Sequence, residues 1–166
     1  NINYAHAKNF KNIKQIALAK SEIMNNIRPN GFIVLNADDN FFRLHQKIAN
    51  KKDLKVISFG IKNQKANIKL VNVIRFGKKF KIIISLNKKK RYFLISDDFH
   101  NNIYNILSTL SVISIYKDIF KLHKNIFLNF KIPGGRGDHS VIKINNKKVN
   151  LIDQSYNSNP LSLKSA

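Results

Sequence analysis

A lysine in the first helix-like segment is the residue whose position most directly indicates chemistry. Residues 12–27 repeat apolar side chains at helical spacing, and Lys20 lies three residues from both Ala17 and Ile23. A lysine held out of water in such a stripe loses its proton more easily, and the neutral amine can react with carbon dioxide. The resulting carbamate is a carboxylate on a long arm, suited to binding Mg²⁺. The alternative is an ordinary lysine whose stem lies along the edge of the stripe.

His6 is a second candidate for metal chemistry. It precedes the helix at a point where we expect a strand to give way to a loop. Ligands collect in the crevice outside the carboxyl ends of parallel strands, and a neutral imidazole is a common metal ligand. A lone histidine is more often structural, and both interpretations stay open.

Two pairs of polar residues stand beside predicted helices. Asp38 and Asp39 are adjacent carboxylates, which could serve as an acid and a base, but aspartate between a strand and a helix is typical of an N-cap, the interpretation we favour. Asn102 and Asn105 open a later helix. Their amides can donate and accept together, which suits the edge of an adenine, and capping is the alternative.

The elements that position these residues alternate between helix and strand. The predicted helices cover residues 12–27, 41–49 and 102–116, with a further helical stretch up to about residue 123. Buried parallel strands are predicted at 32–35 and 54–59. Three strand-like runs joined by short basic turns follow, at 67–76, 79–86 and 91–96. This pattern predicts an α/β fold in which a small antiparallel meander extends a parallel sheet.

A break at residues 133–137, Pro-Gly-Gly-Arg-Gly, is the best candidate for a domain boundary. We expect one domain over residues 1–133 and the start of another over 134–166. Arg136 lies in the break, from which it could reach a phosphate or a ribose. Beyond it, the sequence predicts a hairpin of residues 139–144 and 148–153, then a helix beginning near residue 159. A first residue other than Met and an end inside this helix lead us to expect a piece of a longer protein.

Composition excludes some functions and invites another. The chain has no cysteine, which excludes disulfides, thiolate catalysis and cysteine-based metal sites. Its net charge of +21 invites a nucleic-acid-binding interpretation, but only 5 of the 30 basic residues are arginine and the lysines are scattered. Lys, Asn and Ile are over-used together, as A/T-rich codons would produce. We therefore expect neither nucleic acid nor membrane as a partner.

Six segments, in order along the chain, resemble segments of the Mur ligase family, in particular its UDP-N-acetylmuramoyl-tripeptide–D-alanyl-D-alanine ligase branch. They are residues 1–10, 16–23, 31–39, 102–107, 135–137 and 151–160. The last, LIDQSYNSNP, is similar to a block that distinguishes this branch from other Mur ligases. Three residues depart from the family pattern: Lys8, Asn101 and Gln154.

The resemblance implies roles for individual residues. Lys20 corresponds to a lysine that is carbamylated and His6 to a histidine, and both bind Mg²⁺ in the family. Asn102 and Asn105 correspond to asparagines near adenine, and Arg136 to a hinge arginine that approaches ATP. The remaining correspondences fall where the C-terminal domain begins: Asp153 with a nucleotide contact, and Ser155, Tyr156, Asn157 and Asn159 with substrate contacts.

The resemblance also implies an activity and a fold. The family joins a carboxylate to an amine through an acyl phosphate made from ATP, and this branch adds D-Ala-D-Ala to UDP-N-acetylmuramoyl-tripeptide for peptidoglycan in the cytoplasm. The chain would comprise the later part of the central ATPase domain and the start of a Rossmann-like C-terminal domain. It has no phosphate-binding loop, so we expect this piece alone to be inactive. We expect the whole enzyme to be a monomer.

Two alternatives compete with this interpretation. A folylpolyglutamate or cyanophycin synthetase belongs to the same superfamily, and the SYNSNP sequence within residues 151–160 argues against it. A small basic nucleic-acid-binding module would show steeply salt-dependent binding and a one-sided lysine surface. The scattered lysines argue against that module.

Overall fold

The computed structural model describes residues 10–97, 102–130, 134–135, 138–153 and 155–156. The chain divides into two compact units, Asn1–Asn129 and Phe130–Ala166. The predicted domain boundary between residues 133 and 134 stays a prediction.

The first unit is built on a five-stranded sheet in which the strands follow one another in chain order. The strands are β1 (Phe32–Asn36), β2 (Lys55–Gly60), β3 (Ile68–Phe76), β4 (Lys79–Leu86) and β5 (Lys89–Ser96). β1, β2 and β3 are parallel neighbours, whereas β4 and β5 run antiparallel to the strands before them. This confirms the predicted α/β class with an antiparallel meander.

In the described part of the first unit, three α-helices accompany the sheet. They are α1 (Ile13–Ser21), α2 (Phe42–Asn50) and α3 (Ile103–Tyr116). The single helix predicted over residues 12–27 is wrong in its second half, because the α-helix ends at Ser21 and a 3-10 helix, Glu22–Asn26, follows. The tighter 3-10 winding turns its side chains to different directions than a continued α-helix would.

Helices cover both faces of the parallel strands, as the alternation of side chains along β1 shows. Val34 packs against the main core, which α3 shares with the meander, while Ile33 and Leu35 pack against a smaller cluster. The main core includes Ile82, Ile84, Phe93, Ile95, Leu107 and Leu110, all with no measurable exposure. Met24, Ala49 and Leu54 form the smaller cluster, to which α2 and the first 3-10 helix contribute.

The second unit contains one antiparallel hairpin, β6 (Asp138–Ile144) and β7 (Lys147–Asp153). Asn145 and Asn146 both have positive φ, 48° and 62°, which is the backbone of a tight two-residue hairpin turn that asparagine tolerates. The predicted hairpin is thereby confirmed. Within the described ranges, no helix is both long and apolar enough to span a membrane.

Candidate functional site

Lys20 lies in the last turn of α1 and is exposed, so the prediction that it is held in the apolar stripe is wrong. The buried side chains of α1 are Ile16, Ala17 and Ser21, and the buried stripe then continues through Met24. Ser21 takes the inward position that the spacing assigned to Lys20, and its hydroxyl donates to the Leu18 carbonyl at 2.6 Å. Ile23, predicted as part of the stripe, is 67% exposed because the 3-10 helix has rotated it outward.

One hydrogen bond stabilises the start of α1, and another connects α1 to α2. Its N-cap is Asn12, whose side-chain oxygen accepts from the Gln15 backbone N–H at 3.0 Å. From α2, the Nε2 atom of buried His45 is 3.0 Å from the Ala17 carbonyl oxygen. The carbonyl can only accept, so this imidazole nitrogen carries the proton. α1 is thus tied to α2 one turn before Lys20.

Asn102 and Asn105 come together at the start of α3. The Asn105 side-chain Nδ2 donates to the Asn102 Oδ1 at 3.0 Å, and Asn105 is exposed while Asn102 is half-buried. Asn102 occupies the N-cap position of α3, but its side chain makes no cap hydrogen bond. The paired amides retain a further donor and acceptor capacity, which is what an adenine edge requires.

We predicted from the sequence that Asp38 caps a helix, but its carboxylate instead forms hydrogen bonds with the loop after β2 and with α3. Its carboxylate accepts the backbone N–H groups of three successive residues in the loop after β2: Ile61 at 2.6 Å, Lys62 at 3.0 Å and Asn63 at 2.7 Å. It also accepts the Tyr104 hydroxyl of α3 at 3.0 Å. We call Asp38 and these four donors the Asp38 knot. It joins the ends of β1 and β2 to the first turn of α3.

The knot changes the acid–base properties of both side chains. Burial raises the pKa of the Asp38 carboxyl, but hydrogen bonds from Lys62, Ile61, Asn63 and Tyr104 lower it more, and the net pKa is below the ordinary value. Burial raises the pKa of the Tyr104 phenol, and the hydrogen bond to the negative Asp38 raises it further. Asp38 is therefore ionised and Tyr104 protonated near neutrality, which is the pairing that the hydrogen bond needs.

Asp39 also departs from the predicted cap. Its Oδ1 accepts the Phe41 backbone N–H at 2.9 Å, which closes a local turn before the helix. The N-cap of α2 is Phe41, and no side chain caps it. Neither Asp38 nor Asp39 is therefore the N-cap of α2.

Two of the cavities in the described part of the first unit lie at the ends of a strand or a helix. One of about 270 Å³ opens at the carboxyl end of β1, and its polar lining consists of Asn36, Asp39, His45 and Ser108. The larger, of about 600 Å³, lies where α3 ends beside the β4–β5 turn and includes Lys89 and Lys117. Asp39, which the sequence analysis considered together with Asp38, lines the smaller cavity, whereas Lys20, Asn102 and Asn105 line neither of the two.

In the second unit, the structure brings Asp153 and Ser155 together at the end of β7. The Asp153 Oδ1 accepts the Ser155 backbone N–H at 2.9 Å. The side-chain and backbone hydrogen bonds of Ser155 lower the pKa of the Asp153 carboxyl, since they stabilise its charged form. The exposed Tyr156 donates its backbone N–H to the Gly135 carbonyl at 2.9 Å.

The backbone conformation and the surroundings of residue 135 explain why a glycine occupies this position in the predicted break. Its φ of +75° is a conformation that side chains disfavour, and an added Cβ would lie 3.0 Å from the Tyr156 Cβ. Glycine therefore lets the chain approach the segment that carries Ser155 and Tyr156.

The remaining predicted site residues lie outside the described residues: His6, Arg136, Asn157 and Asn159. The same holds for Lys8, Asn101 and Gln154, the departures from the family pattern. In the part of the chain that the structure describes, no three His, Asp or Glu side chains form a group that could hold a metal ion. A carbamate on Lys20 would have the right chemistry for Mg²⁺, but the exposed position of Lys20 does not provide the water-free surroundings from which the carbamate was predicted.

A family model described as the Mur ligase middle domain matches residues 1–113. The UDP-N-acetylmuramoyl-tripeptide–D-alanyl-D-alanine ligase of Rickettsia prowazekii is 29% identical over 173 residues, which cover 100% of this chain and 36% of that protein. The protein of the same name from Buchnera aphidicola subsp. Acyrthosiphon pisum is 30% identical over 171 residues, again with 100% and 36% covered. A UDP-N-acetylmuramate–L-alanine ligase of Borreliella afzelii is 32% identical over 74 residues, 45% of this chain and 16% of its own length.

Solved structures share the fold. MurF from Acinetobacter baumannii superposes with a TM-score of 0.71 at 18% identity, covering 99% of this chain and 34% of that one. MurF ligase from Thermotoga maritima, solved in complex with ADP, gives a TM-score of 0.71 at 20% identity, covering 99% and 36%. The chain spans about a third of the length of these proteins.

Proposed function

The chain belongs to the Mur ligase family, and on that premise we propose that it is part of an ATP-dependent ligase that adds D-Ala-D-Ala to UDP-N-acetylmuramoyl-tripeptide. The observation that carries the proposal is the extent of the similarity. Two D-alanyl-D-alanine ligases align over 100% of the chain, whereas the L-alanine ligase aligns over only 45%. The chain also carries the LIDQSYNSNP block of residues 151–160, which resembles the D-alanyl-D-alanine branch.

The reaction would proceed in two steps. A terminal carboxylate oxygen of the tripeptide attacks the γ-phosphorus of ATP, forming an acyl phosphate and releasing ADP. The amine of D-Ala-D-Ala then attacks the acyl carbon, an amide bond forms, and inorganic phosphate leaves. Positive groups near the transferring phosphate would offset the charge that develops on its oxygens.

The site residues take the following proposed roles in this reaction. The paired amides of Asn102 and Asn105 contact adenine, a role that their mutual hydrogen bond and the exposure of Asn105 support. Arg136 and Asp153 contact ATP. Ser155, Tyr156, Asn157 and Asn159 contact the substrate, and the contact between Gly135 and Tyr156 supports an ordered start to that segment.

Mg²⁺ would be held by Lys20, as its carbamate, and by His6. When bound, the metal would neutralise phosphate charge. The support for these two roles is the resemblance of residues 1–10 and 16–23 to the corresponding Mur ligase segments. We further propose a cytoplasmic enzyme that needs neither nucleic acid nor a membrane, because its proposed substrates are a soluble nucleotide-linked peptide and a dipeptide. We also propose that it acts as a monomer.

The test is product formation by the complete ligase that contains this chain. With ATP, Mg²⁺, UDP-N-acetylmuramoyl-tripeptide and D-Ala-D-Ala, we expect ADP, phosphate and the extended peptide in equal amounts. A tripeptide labelled with ¹⁸O in its terminal carboxylate should transfer one label into phosphate. Preferential use of folate with glutamate would support the folylpolyglutamate synthetase alternative, and preferential extension of an aspartate polymer would support the cyanophycin alternative.

A further inference from the structure

We propose that Asp38 and Tyr104 are positioning residues for nucleotide binding: the Asp38 knot fixes the first turn of α3 and so the place of Asn102 and Asn105. The inference rests on the proposed function, because it assumes that these two asparagines contact adenine. It adds two residues that do not themselves contact the nucleotide.

The carboxylate of Asp38 is a cross-link between three parts of the fold. Asp38 lies two residues after the end of β1, and its Oδ1 and Oδ2 together accept three backbone N–H groups after β2, at 2.6 to 3.0 Å. The Asn63 side chain returns a hydrogen bond to the Ala37 carbonyl at 3.1 Å. With bonds in both directions, the ends of β1 and β2 are held at a fixed separation.

Gly60 leaves the room that the carboxylate occupies. A Cβ added at this last residue of β2 would lie 3.0 Å from the Asp38 Oδ1 and 3.3 Å from its Cγ. The Asp38 side chain is short and already bonded by three backbone groups, so it has little freedom to move aside. The fold therefore accommodates the carboxylate by the absence of a side chain on the neighbouring strand.

Tyr104 connects α3 to the Asp38 carboxylate. It lies between Asn102 and Asn105 in sequence, its ring packs against the main core, and its hydroxyl donates to Asp38 at 3.0 Å. A phenylalanine would provide the same ring for packing. The hydroxyl thus contributes a directional link to an ionised acceptor, which is stronger than a bond between neutral groups.

The start of α3 depends on this link because its own capping is weak. No hydrogen bond from the Asn102 side chain caps the helix, and the Asn102 amide instead pairs with Asn105. Two hydrogen bonds from the asparagine amides to the edge of adenine require amides that are held in position, since a small displacement weakens both bonds together. Removing the Tyr104 hydroxyl should loosen the asparagines while leaving the core packed.

The experiment measures steady-state kinetics of the complete ligase carrying Tyr104→Phe, Gly60→Ala, Asn105→Ala or Ser114→Ala. Ser114→Ala is the matched control, because it also removes a half-buried hydroxyl from α3, one that donates to the Ser111 carbonyl at 2.8 Å. For Tyr104→Phe and Gly60→Ala we expect the KM for ATP to rise about three- to tenfold. kcat and the KM for D-Ala-D-Ala should change by less than about twofold, and Ser114→Ala should leave all three constants unchanged.

The outcomes separate this inference from the proposed function. An unchanged KM for ATP in Tyr104→Phe, with a raised KM in Asn105→Ala, overturns the positioning role and leaves the adenine contact standing. An unchanged KM for ATP in Asn105→Ala overturns the adenine contact itself and with it the inference. If Tyr104→Phe and Ser114→Ala lower the melting temperature and alter the kinetic constants alike, the hydroxyl is only structural and the inference is also overturned.

Discussion

The start of α3 and the end of α1 carry the two proposed halves of the nucleotide site, and they are held in different ways. Asn102 and Asn105 flank Tyr104, whose hydroxyl donates to Asp38. The same carboxylate accepts three backbone N–H groups from the loop after β2. Lys20 is exposed at the end of a nine-residue helix, and the nearest tie to another element is the bond between His45 and Ala17. Hydrogen bonds to adenine require amides that are held in position. A carbamate on Lys20 would instead reach its metal ion by rotation of the long lysine side chain.

The largest expected effect is on activity at Lys20. In the complete ligase, Lys20→Ala should lower kcat by more than about a hundredfold, because the charge stabilisation of a metal ion is worth several kcal/mol. Lys14→Ala is the control, since Lys14 is also an exposed lysine of α1. The measurement is the rate of ADP release with saturating substrates. Equal and small effects of the two variants would show that Lys20 is an ordinary surface lysine.

The next largest effect is on stability, at Asp38. Asp38→Ala should lower the free energy of unfolding by about 2–3 kcal/mol, because it leaves backbone donors after β2 without their acceptor. Asp97→Ala should change it by less than about 0.5 kcal/mol, since Asp97 forms only an exposed ion pair with Arg75 at 3.4 Å. Denaturant unfolding of this chain checks both values. A loss at Asp38 no larger than that at Asp97 would contradict the account of the knot.

The pH dependence of stability follows from the lowered pKa of Asp38. A carboxyl whose pKa is lower folded than unfolded stabilises the fold above its unfolded value of 3.8, and this contribution is lost as the pH falls through the folded pKa. The stability difference between the natural chain and Asp38→Asn should thus be constant near neutrality and shrink below about pH 4. Unfolding curves at a series of pH values measure it. A difference that grows with acidity would mean that the sign of the pKa shift is wrong.

The smallest effect concerns the local cap of α1. Asn12→Ala should reduce the free energy of unfolding by about 1 kcal/mol, because the Gln15 backbone N–H loses its side-chain acceptor. Asn12→Ser, which retains an acceptor, should restore most of the loss. Thermal unfolding distinguishes the two variants. Identical melting temperatures would show that α1 is held by its packing and by His45 instead.

The sequence predicted the elements better than the contacts between them. Strand and helix spacing locate β1, β2, α2, α3 and the meander, because a repeat of apolar residues reports which face of an element is buried. It placed Lys20 inward, whereas the polar Ser21 takes the buried position one residue later. It also placed Ile23 inward, because the change from α-helix to 3-10 helix after Ser21 has no clear mark in the sequence. The spacing of apolar residues alone could not predict where the α-helix changes to a 3-10 helix.

The Asp38 knot could not be found from spacing at all. Its bonds join residues 23 to 66 positions apart, so they exist only once β1, β2 and α3 have packed. The local rule that aspartate before a helix is a cap led to the wrong role. One available sign was Gly60 at the end of a buried strand, since glycine there indicates that another group approaches closely.

A crystal structure of the complete ligase with Mg²⁺ and a non-hydrolysable ATP analogue tests the central claim most directly. The account predicts adenine within hydrogen-bond distance of the Asn102 or Asn105 amide, at the turn that Tyr104 ties to Asp38. Adenine bound elsewhere, with both amides facing solvent, would contradict it.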